Sequence, residues 1–111
     1  MGYDERLAER VRDTVATQVD PARVTERKMF GGLCVMLSGN MCCGVIGNEL
    51  MVRVGPDAYP RALGRKHARE MDFTGRALKG MVYVSAAGVK GRGLASWTKL
   101  GVEFAASLPP K

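Results

Sequence analysis

Residues 28–54 read KMFGGLCVMLSGNMCCGVIGNELMVRV, and this stretch decides the fold. Apolar runs of strand length alternate in it with two Gly-Asn pairs, Gly39-Asn40 and Gly47-Asn48. Gly and Asn tolerate the positive φ angles that two-residue hairpin loops require. The stretch therefore predicts three consecutive antiparallel strands joined by two tight turns.

The two turns set a register, and the register assigns each side chain to a face of the sheet. With Gly39-Asn40 as the first loop, Cys34 lies opposite Val45. With Gly47-Asn48 as the second loop, Val45 lies opposite Leu50. The predicted core face is apolar throughout and carries Cys34, Met36, Cys43, Val45, Leu50, Val52 and Val54.

The opposite face of the predicted meander is also mostly apolar. It carries Leu33, Val35, Leu37, Cys42, Gly44, Ile46, Glu49, Met51 and Arg53. Because so apolar a face is unfavourable in water, we expect a helix, a second copy of the chain or a ligand to cover it. The predicted contacts of a homodimer are Leu33, Val35, Leu37 and Met51.

Helical and strand patterns flank this meander on both sides. Leu7, Val11 and Val15 recur every four residues and predict an amphipathic helix over 3–19. The other predicted elements are a short helix over 57–66, strands over 69–74 and 81–85 around a turn-prone segment 75–80, and a helix over 94–107. The predicted order is α-β-β-β-α-β-β-α. Since the strands come in hairpins and helices flank them, the predicted class is α+β with an antiparallel sheet.

The composition is typical of one soluble domain. The chain has 111 residues, of which 46% are hydrophobic and 25% charged, so we expect a single domain over 1–111. The polar start is unlike a secretory signal, and no apolar run approaches the roughly 20 residues that span a bilayer. We therefore expect a cytoplasmic protein whose three cysteines are reduced thiols.

The positive charge is concentrated in the second half of the chain. Residues 1–57 carry seven Lys or Arg against eight Asp or Glu, whereas residues 58–111 carry ten against three. A basic half of this kind favours binding to the phosphate groups of a nucleic acid or to an acidic partner protein, although it is also typical of a solvated surface. The candidate anion or nucleic-acid contacts are Arg61, Arg65, Lys66, Arg69, Lys90 and Arg92.

The residue types needed for catalysis or for zinc binding do not converge in the sequence. Cys42 and Cys43 are neighbours in a predicted strand, so we expect their side chains on opposite faces, out of reach of one metal ion. His67 lies among basic residues and is expected at the surface. The sequence therefore predicts no catalytic residues, no metal site and no cofactor.

The glycine-rich segment 88–93, Gly-Val-Lys-Gly-Arg-Gly, precedes the last predicted helix. Free N–H groups at a helix N-terminus attract anions, and Lys90 and Arg92 would add charge. Its spacing matches neither a Walker-type loop nor a dinucleotide fingerprint. The segment is thus either a flexible connection or a binding site for a small phosphorylated ligand.

Several landmarks of the chain resemble a known family. They are Met29-Phe30-Gly31-Gly32, the turn at Gly39-Asn40-Met41, Leu50 to Val54, Met71-Asp72-Phe73, Val82-Tyr83-Val84 and the helix that holds Trp97. In this order they resemble the TfoX N-terminal domain, a family named for a bacterial competence regulator. The resemblance covers roughly residues 5–108. It implies a small α+β domain linked to transcriptional regulation of DNA uptake, and it implies no catalytic residues.

Together these observations predict a non-enzymatic regulatory module that acts through protein contacts, with a protein partner or a second copy of itself. The first alternative is a nucleic-acid-binding accessory that uses the basic second half. The second alternative is a binder of a small phosphorylated ligand at the 88–93 segment.

Overall fold

The computed structural model describes residues 2–29, 31–73 and 76–111. Within them the chain forms three α-helices and six β-strands. In chain order these are α1 (Glu5–Gln18), β1 (Val24–Met29), β2 (Gly32–Leu37), β3 (Asn40–Ile46), β4 (Glu49–Arg53), α2 (Tyr59–Leu63), β5 (Ala68–Phe73), β6 (Arg76–Val84) and α3 (Arg92–Ala106). Short 3-10 turns over Pro21–Arg23 and Ala86–Val89 precede β1 and α3.

The six strands form one antiparallel sheet in the order β1-β2-β3-β4-β6-β5. This confirms the α+β class and the predicted order of elements, and it adds β1 before the meander. The sequence of β1, VTERKM, lacks an apolar alternation because β1 is an edge strand with little buried surface. Charged side chains suit such an edge, since they discourage pairing with another chain.

The hairpin of β5 and β6 is longer than predicted. Strand β6 starts at Arg76, so most of the segment 75–80 that was predicted as a turn is strand. Gly80 does not end the strand, because its carbonyl accepts a hydrogen bond of 2.8 Å from the N–H of Val54. The predicted end of β5, Thr74, and the predicted start of the turn, Gly75, lie outside the described residues.

Helix α1 forms where the apolar periodicity predicts it. The Asp4 carboxylate accepts hydrogen bonds from the N–H groups of Arg6 and Leu7 at 2.9 and 3.2 Å, which caps the helix. Leu7, Val11 and Val15 are buried on the side that faces the sheet. Because burial of one such side chain contributes about 1.5 to 3 kcal/mol, this apolar stripe holds the helix on the sheet.

The first hairpin turn differs by one residue from the prediction. Leu37 pairs with Asn40, so the loop is Ser38-Gly39, and both loop residues have positive φ, +50° and +85°. A β-bulge then shifts the register between Val35 and Met36. The second turn, Gly47-Asn48, is as predicted, and the pairing of β3 with β4 confirms it.

This shift moves the side chains of β2 to the other face of the sheet, because side chains alternate with a period of two. Leu33, Val35 and Leu37 belong to the core beneath the helices, whereas Cys34 and Met36 lie on the opposite face. The predicted faces of β2 were therefore wrong. The predicted core positions of β3 and β4 are confirmed; they are Cys43, Val45, Leu50 and Val52.

The main hydrophobic core lies between the sheet and the helices. All three helices contribute to it, and its strand residues are chiefly Leu and Val. Helix α3 comes closest to the sheet at Gly101, where an added Cβ would lie 2.3 Å from the carbonyl oxygen of Cys42. Trp97, one turn earlier, is fully buried, which confirms its predicted core position.

The C-terminal residues are tied to the β2–β3 turn. The buried Asn40 side chain donates a hydrogen bond of 2.9 Å to the carbonyl of Pro109, and the N–H of Lys111 donates one of 2.9 Å to the carbonyl of Ser38.

Among the helices in the described part of the chain, none has the length and apolar character needed to cross a membrane.

Candidate interaction surface

The sheet face opposite the helices holds a second hydrophobic cluster, which we call the methionine face. Its buried members are Cys34, Met36, Met51, Met71, Met81 and Tyr83, with Met29, Met41 and Ile46 partly buried around them. Each of the six strands contributes one methionine, so every methionine among the described residues lies here. Thioether side chains are flexible and polarisable, which allows such a surface to adapt to a partner.

One row of paired residues crosses the whole methionine face. From edge to edge it runs Arg27, Cys34, Gly44, Met51, Tyr83 and Arg69. At the centre, Gly44 has no side chain, and an added Cβ would lie 2.5 Å from the methyl carbon of Met51 and 2.5 Å from the carbonyl oxygen of Leu33. Met51 therefore lies across Gly44, in the direction of Cys34.

Charged groups border the methionine face at the β5 edge. Arg69 forms an ion pair with Glu49, and its guanidinium lies 4.5 Å from the centre of the Tyr83 ring. Burial raises the pKa of the Tyr83 hydroxyl above its ordinary value. Since the Arg69 side chain is 56% exposed, the ion pair contributes little stability.

The three thiols occupy two sides of the sheet. Cys34 is fully buried in the methionine face, and burial raises the pKa of its thiol, although Arg27 acts in the opposite direction. Cys42 and Cys43 both lie in the helix-side core with their Sγ atoms 3.8 Å apart. The prediction that they leave opposite faces was wrong, because the bulge places both residues opposite one residue of β2.

The hydrogen bond between the two neighbouring thiols, together with complete burial, raises the pKa of Cys43 well above its ordinary range. A thiol held in its neutral form is a weak nucleophile. The Cys42–Cys43 pair therefore behaves as part of the apolar core rather than as a reactive group.

The four predicted dimer contacts do not share a face. Leu33, Val35 and Leu37 lie in the helix-side core, and at most 4% of each residue is exposed. Met51 lies on the methionine face. The second apolar sheet face is therefore formed mainly by the methionines instead.

Five of the six predicted cationic contacts lie on the helix side, in two chain segments. Arg65 stacks at 3.9 Å on the ring of Trp97 and donates a hydrogen bond of 3.1 Å to Ser96 of α3. Next to it, an added Cβ on Gly88 would lie 2.8 Å from the Cβ of His67. The segment with Arg61, Arg65 and Lys66 thus lies beside the segment with Lys90 and Arg92, whereas Arg69 lies at the edge of the methionine face.

The segment 88–93 is ordered by the start of α3. Gly91 has a positive φ of +55° and is the N-cap of the helix, with no side-chain cap. The carbonyl of Val89 accepts a hydrogen bond of 2.7 Å from Arg10 of α1. Lys90 and Arg92 are exposed beside it.

The Met29-Phe30-Gly31-Gly32 landmark has a structural role in the turn between β1 and β2. Gly31 adopts a positive φ of +75°, and an added Cβ on Gly32 would lie 2.2 Å from the carbonyl oxygen of Val45. Phe30 itself lies outside the described residues. An open depression of about 500 Å³ borders this turn and is lined by Gly2, Tyr3, Glu5, Lys28, Met29, Gly31 and Gly32.

A model of the TfoX N-terminal domain matches residues 17–105, which is most of the chain. The chain belongs to the TfoX N-terminal domain family. No curated protein and no solved structure matches it. In this TfoX N-terminal domain, the sequence motifs that resemble the family lie in β1 to β6 and α3. These motifs therefore belong to the structural elements of the fold.

Sequence reasoning missed the methionine face. The signal was present, because the methionines recur once in each strand-length segment. It could not be used, since the side on which Met36 and Cys34 lie depends on the bulge, and β1 was not recognised as a strand.

Proposed function

We propose that this TfoX N-terminal domain is a non-enzymatic regulatory module that acts through protein contacts on its methionine face. A second copy of the chain is the first partner that we propose. The observation that supports the proposal is that the two faces of the sheet are packed differently. Helices α1, α2 and α3 all pack on one face. The other face is filled with adaptable thioether side chains.

Two features of the methionine face support a contact role. Met29, Met41 and Ile46 are partly exposed around its buried centre, and methionine-rich surfaces repack around different partners at little cost. Arginines frame it at both edges of the sheet, at Arg27 and Arg69. Apolar centres with polar rims are typical of protein interfaces.

Light scattering coupled to size-exclusion chromatography tests the proposal across micromolar concentrations. We expect a dimer for the natural chain and a monomer for Met41→Lys, because a buried unpaired ammonium would oppose association. Ala95→Lys, on the exposed side of α3, is the matched control and should remain dimeric. A natural chain that is monomeric throughout refutes the dimer.

The second candidate function is nucleic-acid binding on the helix side. It is favoured by the contact of Arg65 with Ser96 of α3, which brings the basic residues near α2 beside those that precede α3. Such a surface would bind phosphates with an affinity that falls steeply with salt, with a slope of about 0.9 per phosphate neutralised.

Fluorescence anisotropy with a labelled DNA duplex and a labelled RNA hairpin tests this second function. Replacing Lys66, Lys90 and Arg92 by Glu should abolish binding at low salt, whereas Lys28→Glu on β1 should leave it nearly unchanged. If both variants bind the nucleic acids equally well, the proposed binding surface is wrong. If the natural chain binds neither the DNA nor the RNA, the proposal of nucleic-acid binding is refuted.

A further inference from the structure

Sulfur atoms are concentrated on the methionine face. Six thioethers and the Cys34 thiol form one cluster there, and three of these residues, Cys34, Met51 and Met71, have no exposed surface. In residues 2–29, 31–73 and 76–111, no three His, Cys, Asp or Glu side chains converge on a point where they would hold a metal ion. Methionine is not one of these four residue types. Its thioether sulfur can also bind a metal ion, and methionine sulfurs are the potential ligands that the methionine face offers.

Apolar packing by itself does not explain this distribution. The helix-side core of the same strands is built from Leu and Val, among them Leu50, Val52, Val82 and Val84. Leu and Val fix a core better than Met does, because Met has more rotatable bonds. The chain places most of its stiff apolar residues, together with Cys42 and Cys43, on one face and its methionine thioethers with Cys34 on the other.

The centre of the methionine face brings a thiol and a thioether together. Cys34 and Met51 flank Gly44 in the same row across β2, β3 and β4. A Cβ on Gly44 would lie 2.5 Å from the methyl carbon of Met51 and 3.2 Å from the Cα of Cys34. The methyl end of Met51 therefore lies over the side-chain-free position of Gly44, which is paired directly with Cys34.

A third donor lies on the same strand as the thiol. Met36 is two residues beyond Cys34, so both side chains leave β2 on the same face, about 7 Å apart at their Cα atoms. Both belong to the buried cluster. A thiolate with two thioethers is a set of soft ligands, and soft ligands favour Cu(I) over the harder divalent ions.

We propose that Cys34, Met36 and Met51 form a binding site for a single Cu(I) ion on the methionine face. Binding forms three copper–sulfur bonds and breaks the S–H bond of Cys34, whose proton leaves to solvent. The copper remains Cu(I), and no electron is transferred. The site lies on the same face as the proposed protein contacts, but its three ligands all come from one chain, so it does not require those contacts.

Methionine methyl resonances test the site directly. The natural chain, labelled with carbon-13 at the methionine methyl groups, is titrated with Cu(I) under anaerobic conditions and observed by NMR. Coordination of a thioether sulfur changes the shift of its own methyl carbon. We expect the Met36 and Met51 signals to move to new positions at one equivalent. Saturation without any shift at Met36 and Met51 overturns the proposal.

Substitutions measured by competition with a colorimetric Cu(I) chelator identify the donors. Met51→Leu keeps the volume of the side chain and removes the sulfur, so the fold is expected to tolerate it. We expect Met51→Leu and Cys34→Ala each to weaken Cu(I) binding at least about 10-fold, since changes in ligands around a metal have effects of this size or more.

The other two thiols provide the control. The double variant Cys42→Ala/Cys43→Ala removes the vicinal pair of the helix-side core, and it should bind Cu(I) as the natural chain does. If the double variant loses binding while Cys34→Ala retains it, the copper is held by the vicinal thiols and the proposed site is wrong. A monomeric protein that binds Cu(I) with the expected methyl shifts would contradict only the proposed dimer.

Discussion

The tight packing of helix α3 on the sheet at Gly101 allows a direct test of the architecture that separates the two faces. In Gly101→Ala, the new Cβ would lie 2.3 Å from the carbonyl oxygen of Cys42 and 3.3 Å from a methyl group of Val52. The obstacle is a backbone carbonyl rather than the far end of a flexible side chain, so it cannot turn away as a side chain would. Helix α3 must therefore shift away from the sheet.

The size of the effect follows from two opposing contributions. Overpacking a core costs about 1 to 3 kcal/mol, and an obstacle made of backbone belongs at the upper end of that range. Ala is a better helix former than Gly by about 1 kcal/mol, which offsets part of the cost. We expect Gly101→Ala to lower the free energy of unfolding by about 2 kcal/mol, which corresponds to a decrease in Tm of about 8 °C or more.

The assay is urea unfolding followed by the fluorescence of Trp97, the one tryptophan of the chain, which is buried one turn before Gly101. The matched control is Gly64→Ala. Gly64 has a φ of −78°, and its nearest contact, the carbonyl oxygen of Arg61, is 3.5 Å from an added Cβ. The same substitution should therefore stabilise the protein there by about 0.4 to 1 kcal/mol, through the unfolded chain. If Gly101→Ala is as stable as the natural chain, the close packing of α3 on β3 is wrong.

Three further predictions concern single side chains. Arg65→Ala removes the guanidinium stacked 3.9 Å from Trp97; it should lower stability by about 0.5 to 1 kcal/mol and shift the tryptophan emission to the red, and Arg65→Lys should restore only part of this. Asn40→Ala removes the hydrogen bond to Pro109; it should cost about 1 kcal/mol and speed hydrogen exchange at the C-terminus, and unchanged exchange would argue against the tether. Because the pKa of Cys43 is raised in the folded state, the unfolded chain loses its thiol proton first as pH rises. Stability should therefore fall above about pH 8.5, by at most about 1.4 kcal/mol per pH unit for this group, and Cys43→Ala should show a shallower fall in urea unfolding under reducing conditions.

Local patterns were sufficient for most elements of the fold. The spacing of Leu7, Val11 and Val15 predicted α1, and the pair Gly47-Asn48 predicted the turn between β3 and β4. These signals depend on residues close together in the chain. Strand β1 had no such signal, because an edge strand with exposed charged side chains has no apolar alternation to detect.

The candidate surface was predictable only in part. The sequence indicated that both faces of the meander are apolar, and the structure shows a second hydrophobic cluster opposite the helices. It did not indicate which residues form that cluster. The predicted contacts Leu33, Val35 and Leu37 are in the helix-side core instead.

The amino-acid sequence by itself determined the class of the fold, the helices at both ends and the apolar character of both sheet faces, since each depends on short-range periodicity and turn chemistry. Only the tertiary structure decided which side of β2 faces the helices. The loop at Ser38-Gly39 instead of Gly39-Asn40 shifts the register by two residues and leaves the faces unchanged, whereas the bulge opposite Val35 and Met36 adds one residue to β3. Because side chains alternate with a period of two, this single residue places Leu and Val under the helices and gathers the methionines on the other face.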